Sequence, residues 1–128
     1  MSLGQSVIEF NHTYDVPPVV DEGLPHSEYQ LVYRLLAEEL QEISRAYVNQ
    51  DKVNFIKELA DVVYVAAQQM ARYGVDVDKV MEIVHESNMS KLGEDGEVLK
   101  REDGKILKGP NYFAAEDKLA SYIESLAA

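Results

Sequence analysis

The chain has 128 residues, with 12 Lys+Arg against 23 Asp+Glu for a formal charge of −11, and it lacks Cys and Trp. One domain over 1–128 is expected, long enough to bury a core unaided. So acidic a chain argues against a binder of nucleic acid or of an anionic membrane surface. The absence of Cys excludes disulfides, thiolate metal sites and a Cys nucleophile. No apolar run approaches the ~20 residues that span a bilayer. The start, Met1 to Ser6, lacks the charged-then-apolar run of a signal peptide, so a cytoplasmic location is the expectation. An anionic ligand would need positive charge supplied from elsewhere.

In chain order, Val7, Phe10 and Tyr14 mark one face of a weak helix from about Ser6 to Tyr14. Pro17 and Pro18 interrupt, and the segment to Pro25 reads as an ordered loop. Ser27 is the expected N-cap of a long helix to about Asn49. Its stripe is Leu31, Val32, Leu35, Leu36, Leu40, Ile43, Ala46 and Tyr47. Asp51 caps a second helix, about Lys52 to Tyr73, built on Phe55, Leu59, Val62, Val63, Ala66 and Met70. Gly74 ends it. A third helix opens at Asp76 or Asp78 and runs to about Ser90, with Val77, Val80, Met81 and Val84 inward. Glu102-Asp103-Gly104 predicts the turn of a β-hairpin (about 97–109), with strands Val98–Arg101 and Lys105–Lys108. A last helix spans about Glu116 to Leu126. The fold class expected is all-α, an antiparallel helical bundle with a small C-terminal β-hairpin.

The informative residues are acids. Glu38, Glu39 and Glu42 form Glu-Glu-x-x-Glu on the first long helix, so Glu39 and Glu42 project from one face beside Leu35, Ile43 and Ala46. Glu58 and Asp61 repeat the spacing on the next helix, beside Val62 and Val65. A short connection makes the two helices antiparallel neighbours, so the pairs can face each other. Like charges converging at a bundle interface require a cation. Hard oxygen donors without Cys or His point to Mg²⁺, with Mn²⁺ as a substitute. A solvated acidic face explains most lone Glu pairs, but two matched pairs beside apolar stripes favour metal. Glu82 and His85 spell the Glu-x-x-His unit of di-iron bundles, which require two such units. Redox di-metal chemistry is therefore the lesser alternative, and a non-catalytic metal-binding or oligomerisation module is another.

Positive charge returns late in the chain. Asn88 and Lys91 continue the face of Val77, Met81 and Val84 and are read as phosphate contacts. Lys100, Arg101, Lys105 and Lys108 form the densest basic patch, interleaved with acids. Tyr112 and Phe113, after Gly109-Pro110-Asn111, either stack on a base or anchor the hairpin.

These motifs resemble the all-α nucleoside triphosphate pyrophosphohydrolases, which include MazG-type enzymes. The spacing Glu38-Glu39-x-x-Glu42, Glu58-x-x-Asp61 and Asn88-x-x-Lys91 carries the likeness. The stretches Ser87 to Gly96, Arg101 to Lys105 and Leu107 to Phe113 resemble the phosphoribosyl-ATP pyrophosphohydrolase-like subgroup. The similarity runs from about Val7 to Tyr112. Some chains of that subgroup carry a HAD phosphatase label. Asp76-Val77-Asp78 spells the Asp-x-Asp such an enzyme uses, but opens a helix with no α/β core around it. The resemblance implies cleavage of the α–β phosphoanhydride of a nucleotide, giving a monophosphate and pyrophosphate. It implies Mg²⁺ on Glu39, Glu42, Glu58 and Asp61, with Glu38 and Glu39 as the catalytic carboxylates and Glu38 positioning or deprotonating the water. Asn88, Lys91, Arg101, Lys108 and Tyr112 would then meet the substrate. It also implies a homo-oligomer, a dimer or a dimer of dimers.

Overall fold

The computed structural model describes residues 1–127 and contains five helices. They are α1 (Leu3–Thr13), α2 (His26–Val48), α3 (Lys52–Ala71), α4 (Val77–Met89) and α5 (Ala115–Leu126). Among the described residues no helix is long and apolar enough to cross a membrane. The chain packs as two compact units, residues 1–77 and the remainder from Asp78.

In the first unit α3 is central, packed against α2 and against α1. Its core is Val7, Ala67 and Val77, with Leu3, Tyr64, Met70 and Ala71 packed against them. Phe10 adds an edge-on contact to the Tyr64 ring at 5.7 Å. Beside this core, Asn11 and Gln68 exchange hydrogen bonds, the Gln68 amide donating to Asn11 Oδ1 at 2.9 Å and Asn11 Nδ2 donating to Gln68 O at 3.2 Å.

The local signals explain most boundaries. α1 begins earlier than its apolar spacing predicts because Ser2 and Gln5 form a reciprocal capping box. α2 begins at His26 after Pro25, which supplies the extended geometry but no side-chain cap, so Ser27 lies inside the helix and not at its cap. The α2–α3 turn is tight. Gln50 takes the left-handed conformation (φ 52°), Asp51 N donates back to Ala46 O at 2.9 Å, and the Asp51 carboxylate accepts from Asn54 N at 3.0 Å. This αL residue ends α2 and the aspartate starts α3, which makes the helices an antiparallel pair. Gly74, at φ 80°, follows α3 as expected.

The apolar stripes of this pair are only partly covered. Ala46 is the one α2 residue that is buried. Leu40, Tyr47, Leu59 and Val63, expected inside, are exposed.

In the second unit Val80 and Ile83 of α4 are buried, whereas Met81, expected inward, is exposed. The β-hairpin is not formed. Among the described residues a single antiparallel bridge, Lys100 with Ile106, stands where two strands were predicted. The reversal at Asp103 and Gly104 is present, with Gly104 at φ 89°. Val98-Leu99-Lys100-Arg101 and Lys105-Ile106-Leu107-Lys108 do not alternate apolar with polar, so neither makes a face that could be buried. A two-stranded ribbon without such a face is marginal in water. The loop is closed at its base instead. Gly109 N donates to Lys91 O at 2.8 Å. A Cβ on Gly109 would lie 2.0 Å from the Leu92 carbonyl oxygen, so only glycine fits there. Ser87 Oγ donates to Phe113 O at 2.8 Å, and Ser90 Oγ accepts from Phe113 N at 3.1 Å.

Candidate metal centre

Glu39 on α2 and Glu58 and Asp61 on α3 each place a carboxylate oxygen within 4.8 Å of the others. The 3.6-residue repeat puts Glu58 and Asp61 on one face of α3, and the tight turn brings Glu39 opposite. Glu58 is buried (8 % exposed), and its Oε2 has no hydrogen-bond partner. A buried carboxylate oxygen left alone is costly, and two more carboxylates beside it raise the cost. The nearby Glu58 carboxyl, with which Glu39 can share a proton, holds Glu39 above the ordinary glutamate range. Burial and the charge of Asp61 push it the same way.

One cation already leans on the group. Lys57 Nζ lies 2.7 Å from Asp61 Oδ2 and 3.3 Å from Glu58 Oε1. Hydrogen bonds to Asp61 and then Glu58 raise its ammonium above the usual lysine value. The motif-based reading missed Lys57, although its spacing of four from Asp61 on one helix was a usable signal.

The other expected ligands are placed differently. Glu42 bonds to Arg45 one turn along α2, and stands outside the three-carboxylate group. It does share with Glu58 a polar cleft of about 240 Å³, lined also by Asn49, Asp51 and Asn54. Glu38 is exposed on α2, next to Glu39. In the second unit Asn88 is exposed and Lys91 half-buried. Arg101 holds both oxygens of Asp103, and keeps that carboxyl below the usual aspartate range. Lys108 lies over the Tyr112 ring, 4.9 Å from its centre. Glu82 and His85 are exposed, and neither belongs to a metal-competent group among the described residues.

At the far end of α3 a second polar cluster has the opposite character. Arg72 is buried, with Nη1 2.6 Å from Glu28 Oε2 and Nη2 3.0 Å from Oε1. Its Nε donates to Pro17 O at 2.9 Å, and Nη1 also donates to Gln69 Oε1 at 2.9 Å.

The sequence model of the phosphoribosyl-ATP pyrophosphohydrolase family matches residues 11–88. That is more than half of the chain, and it takes in all three clustered carboxylates. The chain belongs to this family. It is therefore a hydrolase of phosphoanhydride bonds, within the all-α nucleotide pyrophosphohydrolases. A crystal structure from Exiguobacterium sp. 255-15, of a protein named as a candidate NTP pyrophosphohydrolase, is similar at a TM-score of 0.42 and 20% identity. The match covers 99% of this chain and 96% of that one. Among curated proteins nothing matches.

Proposed function

We propose that the chain is a Mg²⁺-dependent nucleoside triphosphate pyrophosphohydrolase that cuts between the α- and β-phosphates. The observation carrying this reading is the orphaned Glu58 Oε2, buried beside Glu39 and Asp61. An all-oxygen donor set with one carboxylate oxygen unclaimed fits a hard divalent cation, Mg²⁺ or Mn²⁺. Glu39, Glu58 and Asp61 would hold it, with Glu42 joining from the shared cleft when it releases Arg45. Bound there, the ion would offset polyphosphate charge and acidify a coordinated water.

The remaining work falls to side chains. Glu38 orients the attacking water and accepts its proton as the water oxygen bonds to the α-phosphorus. The bridging oxygen leaves with pyrophosphate, and a nucleoside monophosphate remains. Lys91 and Asn88 contact phosphate oxygens. Arg101 and Lys108 add positive charge as the leaving group departs, and Tyr112 offers its ring to the base. An acidic chain handles an anion in this way without a basic surface, in keeping with a cytoplasmic nucleotide enzyme that binds neither nucleic acid nor membrane. The exposed Leu40, Tyr47, Leu59 and Val63 of α2 and α3 favour a homo-oligomer, a dimer or a dimer of dimers.

The test is a panel of common and modified nucleoside triphosphates, with phosphoribosyl-ATP, assayed with Mg²⁺ for pyrophosphate. Asp61→Asn should cut turnover by at least ~10²-fold, the several kcal/mol that metal-borne charge stabilisation supplies. Full activity in that variant, or release of orthophosphate alone, would overturn the assignment.

A further inference from the structure

Lys57 occupies an unusual position for a surface lysine. Its ammonium touches two of the three clustered carboxylates. Its side chain is nevertheless 61% exposed, so the ammonium has open water to swing into. The lysine takes Glu58 Oε1 and Asp61 Oδ2, and leaves Glu58 Oε2 unpartnered. One positive charge against three carboxylates is incomplete compensation, which is a reason for a stronger cation to enter. A divalent ion that claims these oxygens and an ammonium at 2.7 Å repel each other, and they compete for the same lone pairs.

We propose that Lys57 is a built-in counter-cation of the carboxylate group, displaced whenever a divalent metal enters, and so sets the metal affinity of the site. The proposal rests on the metal-site reading above and deepens it. Without metal, the lysine limits repulsion among Glu39, Glu58 and Asp61. With metal, it withdraws along its flexible stem. Lysine suits this exchange better than arginine, because its charge is a compact point on a mobile chain and not a rigid two-pronged clamp. Filling the site therefore costs the loss of two lysine contacts, and the site binds divalent ions more weakly than its three carboxylates alone would.

The experiment titrates Mn²⁺ alone, by calorimetry and by electron paramagnetic resonance of free Mn²⁺, into metal-free protein. Lys57→Gln should bind Mn²⁺ about five- to tenfold more tightly than the wild type, the scale of removing one partly screened charge at contact distance. Lys57→Arg, which keeps the charge and grips the carboxylates more rigidly, should bind Mn²⁺ no more tightly than the wild type. Lys52→Gln removes an equal charge from the first turn of the same helix and should also stay within about twofold. Glutamine keeps the helix propensity of lysine, and melting curves by circular dichroism verify the fold of each variant. Unchanged or weaker binding by Lys57→Gln overturns the proposal while leaving the metal site standing. An equal gain in Lys52→Gln overturns it too, by reducing the effect to net charge. If the wild type binds no Mn²⁺, the metal site itself falls and the proposal with it.

Discussion

The N-terminal half of α3 and its C-terminal end carry polar clusters that obey opposite rules. At Arg72 each nitrogen of the guanidinium meets an acceptor, and Glu28 is met by both of its oxygens. At Glu58 three acids gather, one lysine reaches two of them, and an oxygen stays unmatched. The first arrangement is complete within the chain. It ties the loop after α1 and the first turn of α2 to the end of α3. The second is complete only with something the chain does not supply. Burial and charge are common to both, so neither property distinguishes a structural cluster from a functional one. The deciding quantity is the balance of donors against acceptors.

Breaking each cluster should therefore act in opposite directions on stability. Arg72→Met strands the Glu28 carboxylate, Pro17 O and Gln69 Oε1, and should cost about 3 kcal/mol, the low end for a broken buried pair because Glu28 retains some solvent access. Urea unfolding of metal-free protein measures it. A cost below ~1 kcal/mol would show that water replaces the clamp. A saturating divalent ion should stabilise the wild type by about 2.7 kcal/mol at a hundredfold excess over its dissociation constant. The same addition should leave the melting temperature of Asp61→Asn nearly unmoved. Glu58→Gln removes one of three crowded negative charges and should raise metal-free stability by on the order of 1 kcal/mol, while abolishing turnover.

The smallest effect is a pH dependence. Glu39 titrates higher in the folded chain than in the unfolded one, with Glu58, Asp61 and Lys57 facing it. The folded state then binds the extra proton. Its contribution to stability is full below about 4.3, the value of a free glutamate. It is lost as pH rises through the raised value of Glu39. Metal-free wild type should lose stability over that window relative to Glu39→Gln, and saturating Mg²⁺ should erase the difference. A flat difference between the two proteins would place Glu39 away from its neighbours' charge.

Much of this was legible in the sequence, because helical spacing is a local rule. Glu39, Glu58 and Asp61 follow from two i,i+3 pairs and a short turn. Asp51 and Gly74 mark their boundaries by ordinary cap chemistry. Glu42 was legible as a face neighbour of Glu39, yet Arg45 competes for it from the same helix. The Arg72 clamp was not legible, since its partners Glu28 and Pro17 lie 44 and 55 residues away. The hairpin failed for another reason. Its turn residues are right, but turn chemistry makes a reversal and only a burial pattern makes strands. The exposed side of α2 and α3 looks inward-facing from periodicity alone, because periodicity shows that a face is apolar without saying what covers it.

The short turn between α2 and α3 also bears on the order in which the chain assembles. Lys57 and Asp61 lie four residues apart on one helix, so their ion pair can form as soon as α3 winds, on the sub-microsecond scale of helix growth. Glu39 joins only after the slower pairing of α2 with α3. A lysine paired within its own helix can thus be in place when the third carboxylate arrives, so folding need not bring three bare negative charges together at once.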